Sequence, residues 1–393
     1  MVVSMAIGNE KKEPMDFVAG QYGYDLEKLQ QHYSTIELVA GASRLVLVPE
    51  FQGRVMTSSA NASAGFSFGW INHQLLGTDQ LSDQFNPFGG EERFWIGPEG
   101  GQFSFYFEKG KRMEMANWKV PAALDTRPWE VLEANQETAT FHQSFNLKNY
   151  SGNEFKMEAT RRVSIIDPIE SEEYLPIKMG KSVRVVAYES LNQLRNAGEN
   201  DWTPAGGMPS IWMLSMYRPS PEVTIVVPYK KDGEGPVVTD DYFGAVPEDR
   251  LKVANGVIYF KADGNYRSKI GISPERALPT LGSYDAANHC LTILTCSLDS
   301  TSTNFVNSSW EETQEEPFRG DAINAYNDGS LDDGDQLGPF YELETSSSAA
   351  ALKAGEVKMH FQRTFHFEGD EPDLNLIAEK LLGISITNMK NAL

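Results

Sequence analysis

Residues 357–367 read VKMHFQRTFHF. Val357, Met359, Phe361, Phe365 and Phe367 fall on one side of an extended chain; Lys358, His360, Gln362, Thr364 and His366 fall on the other. Side chains alternate across a strand, so the pattern predicts a strand with one apolar and one polar face. The same signal recurs upstream. In ATFHQSFNL (139–147), Phe141, Phe145 and Leu147 oppose His142, Ser144 and Asn146. Further strands are predicted at 35–38, 44–49, 157–166, 183–191, 211–216, 223–229, 257–262 and 291–298. Gly53 interrupts the pattern in PEFQGRVMTSSA and predicts a bulge or bend. Only two helices are signalled. DLEKLQQHYS (25–34) has few apolar positions and reads as a surface element. PDLNLIAEKLLG (372–383) has Pro372 in its first turn, a stripe of Leu374, Ile377, Leu381 and Leu382, and Gly383 at its C-terminus. No internal repeat and no long linker interrupt the series, which argues against a propeller or solenoid. The chain is therefore expected to be all-β, a large two-sheet sandwich with a short C-terminal helix. An N-terminal extension at 1–34 precedes a single domain at 35–393.

Composition narrows the function. Among 393 residues, 55 acidic side chains face 34 basic ones, for a net charge of -21. That balance argues against nucleic acid and against an anionic membrane surface. Aromatic residues make up 11% of the chain, which suits both strands and a stacking ligand. Cys290 and Cys296 share one apolar run, about 20 Å apart on one strand face, and are expected to be free, buried thiols. The N-terminal MVVSMAIGNEKKEP lacks the basic start and long apolar core of a signal peptide, leaving a cytoplasmic or a periplasmic location open.

The candidate site starts with FNPFGGEERFWIGPEGGQFSFYF (85–107). Two Gly-Gly pairs bracket Glu91, Glu92, Arg93, Trp95 and Glu99, and glycine lets a backbone approach a ligand closely. Carboxylate, guanidinium and indole in one loop suit a sugar; a structural turn with a salt bridge is the plain alternative. Phe103, Phe105 and Phe107 then alternate with Ser104, Tyr106 and Glu108 and predict a strand. Near the other end, PFYELETSSSAAALKAGE (339–356) places Glu342 and Glu344 on one strand face. Such a pair is either a solvated face or paired catalytic carboxylates.

This second stretch, LET followed by small residues, a leucine and AGE, resembles the last catalytic strand and turn of the galactose mutarotase-like (aldose 1-epimerase) superfamily. VKMHFQRTFHF fits that family's closing strand, and the Gly-Gly loop is similar to its early sugar-site loop. ESLNQLRNAGENDWTP (189–204) resembles its mid-chain turn. The resemblance spans roughly residues 35–368. It implies a β-supersandwich, a sugar as partner, Glu344 as general base and Arg93 and Trp95 in the pocket. In such enzymes a histidine acid works opposite the base. Here the sequence departs from the family: after Asn192 and Asn196 the chain reads GGMPSIWML, with no histidine between His142 and His289. His142, His360 and His366 are stand-ins, with His73, beside Trp70 and Asn72, preferred as acid.

The segment WEETQEEPFRGDAINAYNDGSLDDGDQLG (310–338) is acidic. It reads as a solvated loop, as an irregular calcium site, or as a loop over the sugar in which Asn324, Tyr326 and Asn327 bond hydroxyls. No window meets the EF-hand spacing, and no other cofactor or metal is called for. Arg267-Ser268-Lys269 is expected to end a strand, with contact to a sugar phosphate as the alternative. Phosphate loops, dinucleotide fingerprints, HExxH and nucleophile elbows are missing from the sequence. The functional expectation is a sugar-binding, mutarotase-like protein acting as an epimerase at the anomeric carbon. A non-catalytic carbohydrate binder and a glycan-cleaving enzyme with paired carboxylates are the alternatives. Glu92, Arg93, Trp95, Glu99, Glu342, Asn324 and Tyr326 are the expected substrate contacts.

Overall fold

The computed structural model describes residues 17–330, 334 and 336–393. The N-terminal stretch read for a signal peptide, and Asp332, Asp333 and Asp335 of the acidic loop, lie outside the described residues. The described chain forms β1 (Ile36–Ala40), β2 (Ser43–Val48), β3 (Arg54–Ser59), β4 (Arg93–Gly97), β5 (Glu130–Ala134), β6 (Thr138–Lys148), β7 (Glu154–Ile166), β8 (Arg184–Asn196) and β9 (Ser210–Tyr217). These are followed by β10 (Val223–Pro228), β11 (Leu251–Ala254), β12 (Val257–Lys261), β13 (Ser268–Ile272), β14 (Thr280–Asp285), β15 (Cys290–Cys296), β16 (Ile323–Asn327), β17 (Tyr341–Ser346) and β18 (Val357–Glu368). The helices are α1 (Tyr22–Gln30), α2 (Ala122–Asp125), α3 (Ser171–Tyr174), α4 (Glu371–Leu382) and α5 (Ile386–Lys390). None is long and apolar enough to cross a membrane.

Ten strands form one antiparallel sheet in the order β11-β12-β10-β14-β15-β18-β8-β7-β6-β5. Five more form a second sheet, β13-β16-β17-β9-β4. The three-stranded β1-β2-β3 extends that second layer through a bridge between Val55 and Glu92. The long registers β6–β7, β7–β8 and β8–β18 are what the alternating runs predict. Both cysteines are free and buried on β15, as expected.

The structure departs from the sequence reading in several places. α1 docks with Tyr22 and Leu29 fully buried against Val46, Val48 and Met56. Residues 102–108 form turns instead of a strand. Phe103, Phe105, Tyr106 and Phe107 are all buried there, because the loop folds back on itself (Ser104 N–H to Gly101 O, 2.9 Å). The strand of this region lies upstream, at β4. The faces of β18 are also exchanged along part of its length. Val357 and Met359 are exposed, whereas His360, Gln362, Thr364 and His366 are buried between the sheets. Buried polar groups need partners, and the facing layer supplies them. His366 Nε2 meets Glu91 Oε1 at 2.9 Å, Gln362 Nε2 donates to Glu92 Oε2 at 2.8 Å, and Thr345 Oγ1 lies 2.9 Å from His360 Nε2. Phe365 and Phe367 keep their apolar role beneath α4.

Candidate functional site

The five-stranded sheet carries a cavity of about 500 Å³ on the face turned away from the ten-stranded sheet. Its floor is set by strand register. Met216, Glu342, Tyr326 and Lys269 stand opposite one another across β9, β17, β16 and β13. Two residues along, Arg93, Leu214, Glu344, Asn324 and Gly271 form the next row. Trp95 and Trp212 begin a third. Period-two alternation puts all three rows on one face. Loops carrying Phe85, Glu99, Trp118, Tyr242, Phe243 and Trp310 complete the walls.

Two ion pairs cross the floor diagonally. Arg93 Nη2 donates to Glu342 Oε1. Lys269 Nζ donates to both oxygens of Glu344, at 3.0 and 2.9 Å, and Trp212 Nε1 adds a third bond to Glu344 at 2.9 Å. Burial opposes the charge on Lys269, but the Glu344 and Glu99 carboxylates outweigh it and hold the ammonium above its ordinary range. Burial, opposed by Arg93 and reinforced by Glu344, pushes Glu342 up to about 7. Burial also raises Glu99, against the attraction of Lys269. A small recess beside the cavity holds Asp321, Tyr242 and Asn324. There Tyr242 donates to Asp321 Oδ2 at 2.5 Å, and burial raises Asp321 to about 6. Gly271 makes this arrangement possible: a Cβ at that position would come within 2.0 Å of Asp321 Oδ2.

Of the residues singled out in the sequence, Arg93, Trp95, Glu99, Glu342 and Tyr326 line the cavity. Trp95 is buried, so its indole is a wall of the cavity and not an exposed finger. Asn324 lines the recess, donating to Ile270 O and Tyr242 Oη at 3.2 Å. It and Tyr326 belong to a floor strand, not to a covering loop; Asn327 points the other way, bonding Gly264 N–H and Tyr266 O. Glu344 is on the same face as Glu342 but is buried, with its oxygens taken by Lys269 and Trp212. Glu92 projects between the sheets and is paired with Arg161 at 2.7 Å. His73 sits beside α1, 2.7 Å from Asp25. His142 stands on the outer side of β6 near Thr160, while His360 and His366 are locked between the sheets. Burial drives His360 down to about 3, leaving it neutral. No histidine lines the cavity. No cluster of three or more His, Cys, Asp or Glu side chains fit to hold a metal occurs among the described residues.

Lys269, read as ending a strand, instead lies at the start of β13, and its place in the site escaped the sequence reading, as did those of Trp212, Tyr242, Trp118 and Trp310. The missed signal for the first was Arg267 and Lys269 at spacing two, which places both on one strand face.

Fold and site together define a two-layer β-supersandwich with an aromatic, ion-paired cavity on one outer face. The chain belongs to a family of unknown function, DUF6786, whose profile matches residues 20–393. No curated protein matches it in sequence. Among solved structures it is similar to the Slr1438 protein from Synechocystis sp. PCC 6803, at 13% identity and a TM-score of 0.50, covering 86% of this chain and 97% of that one. It is also similar to a candidate aldose 1-epimerase from Escherichia coli K12 (10% identity, TM-score 0.49, 86% and 99% covered). A galactose mutarotase-like protein from Lactobacillus casei ATCC 334 matches at 10% identity and a TM-score of 0.45, with 85% and 99% covered. The likeness is one of fold.

Proposed function

We propose that this chain binds a carbohydrate in the cavity on its five-stranded sheet. One observation carries the reading: eight aromatic side chains (Phe85, Trp95, Trp118, Trp212, Tyr242, Phe243, Trp310 and Tyr326) enclose a floor of carboxylates and cations. Sugars present apolar C–H faces to aromatic rings and hydroxyls to charged groups, so such a wall and floor suit them.

Catalysis at the anomeric carbon needs a base and an acid on either side of one ring. Glu342, which faces the cavity, takes the place first given to Glu344, and Glu344 becomes a positioning residue for Lys269 and Trp212. With no imidazole in the cavity and Glu342 as base, the candidate proton donors are Lys269 and Glu99, whose carboxyl burial raises. A second reading, glycosidic cleavage, draws support from Glu342 and Glu99, two cavity carboxylates both raised by burial. The test is NMR anomer exchange over a panel of free sugars, with Glu342→Gln as control. Exchange accelerated by the wild type and abolished in the variant is the result expected of an epimerase. Sugar binding without acceleration leaves binding and removes epimerisation.

A further inference from the structure

The cations of the cavity are not equivalent. Arg93 is ion-paired to Glu342 through Nη2, with Nε and Nη1 buried and unpartnered, and Lys269 is ion-paired to Glu344. Arg267 lines the same cavity, yet no carboxylate comes within salt-bridge distance of it among the described residues, and its guanidinium makes no hydrogen bond there. Its Nε is buried without a partner. What holds it is a ring: Cζ lies 4.2 Å from the centroid of Phe243, another cavity wall. Asp328, which follows β16, is engaged elsewhere, accepting from Tyr326 Oη at 2.5 Å and from Gly338 N–H at 2.9 Å.

A guanidinium stacked on an aromatic face has its planar fork of N–H donors set in position without being consumed. That fork matches a carboxylate or phosphate in bidentate fashion. Four carboxylates also line the cavity: Asp241 and Glu311 are exposed, so solvent screens their repulsion of an anion, while the buried Glu342 is offset by Arg93 and Glu99 by Lys269; Arg267 is half-buried and screened less.

We propose that the cavity takes a sugar bearing an anionic substituent, a carboxylate or a phosphate, and that Arg267 is the residue that pairs with it. This rests on the sugar-binding reading above. Arg267 is a specificity residue here: it grips a substituent and leaves the ring to the aromatic walls.

The experiment is isothermal titration of the full chain with three matched sets: glucose and galactose, their uronates, and their 6-phosphates. The wild type should bind at least one anionic form about tenfold or more tighter than its neutral parent. The uronate and phosphate arms identify which anion is meant. Arg267→Gln should bring the anionic-to-neutral ratio to about one, and Arg267→Lys, which keeps the charge without the fork, should give an intermediate ratio. Unchanged melting temperatures show that both variants fold. Neutral and anionic sugars bound equally by the wild type, or a preference that survives Arg267→Gln, would overturn the inference while leaving sugar binding in place. No binding in any set would overturn both.

Discussion

Replacing Glu342 by glutamine isolates the carboxylate that faces the cavity. Glu342 is 5% exposed, and among the described residues its carboxylate's only hydrogen bond comes from Arg93, itself 2% exposed. Burial raises its carboxyl from 4.5 to about 7. A folded-state value above the unfolded one means the native state binds the extra proton between those two pH values. The contribution to stability is therefore fully present below 4.5 and is lost as pH rises through 7. At about 1.4 kcal/mol per pH unit, the loss amounts to about 3 kcal/mol. Glutamine keeps an oxygen for Arg93 and has no titration. Urea unfolding of both proteins should be measured at intervals from about pH 4.5 to pH 8, where extrapolated stabilities can be compared pair by pair. The variant should gain on the wild type by about 3 kcal/mol across that range. A flat difference, or a wild type that gains with pH, would refute the argument: Arg93 would then dominate burial, and Glu342 would be an ordinary ionised partner.

Lys269→Met strands Glu344 in a buried site with Trp212 as its remaining donor. It should cost about 3–5 kcal/mol, with Glu344→Gln recovering much of that in the double variant; calorimetry decides, and a single-variant cost below about 1 kcal/mol contradicts the pairing. Gly271→Ala drives a methyl into Asp321 and should lower stability by about 1–3 kcal/mol, read from chemical denaturation. An unshifted midpoint would mean the recess is looser than described. Trp310→Ala removes a wall, and affinity for any bound sugar should fall about tenfold by titration calorimetry.

How much of this was legible in the chain depended on which physical signal each residue leaves. Strands such as β6 and β18 were readable because alternation is local. The inward polar face of β18 was not, since His360, Gln362 and His366 are acceptable inside only because Thr345, Glu92 and Glu91 meet them there. Those partners are remote in sequence. β4 was missed because all five of its residues are buried, which hides the period-two signal. Glu342 and Glu344 share a face, and the sequence reading favoured the second. In the structure Lys269 pairs with Glu344, while Glu342 lines the cavity. Trp118 and Trp310 reach the site on irregular loops, where no periodicity marks them.

The claim that a sugar occupies the aromatic cavity is tested most directly by saturation-transfer NMR. The full chain would be mixed with a panel of free mono- and disaccharides, with Trp118→Ala as the matched control. Transfer to the ring protons of at least one sugar is expected in the wild type, with its loss in the variant. Transfer to no sugar, or transfer undiminished in Trp118→Ala, would contradict it.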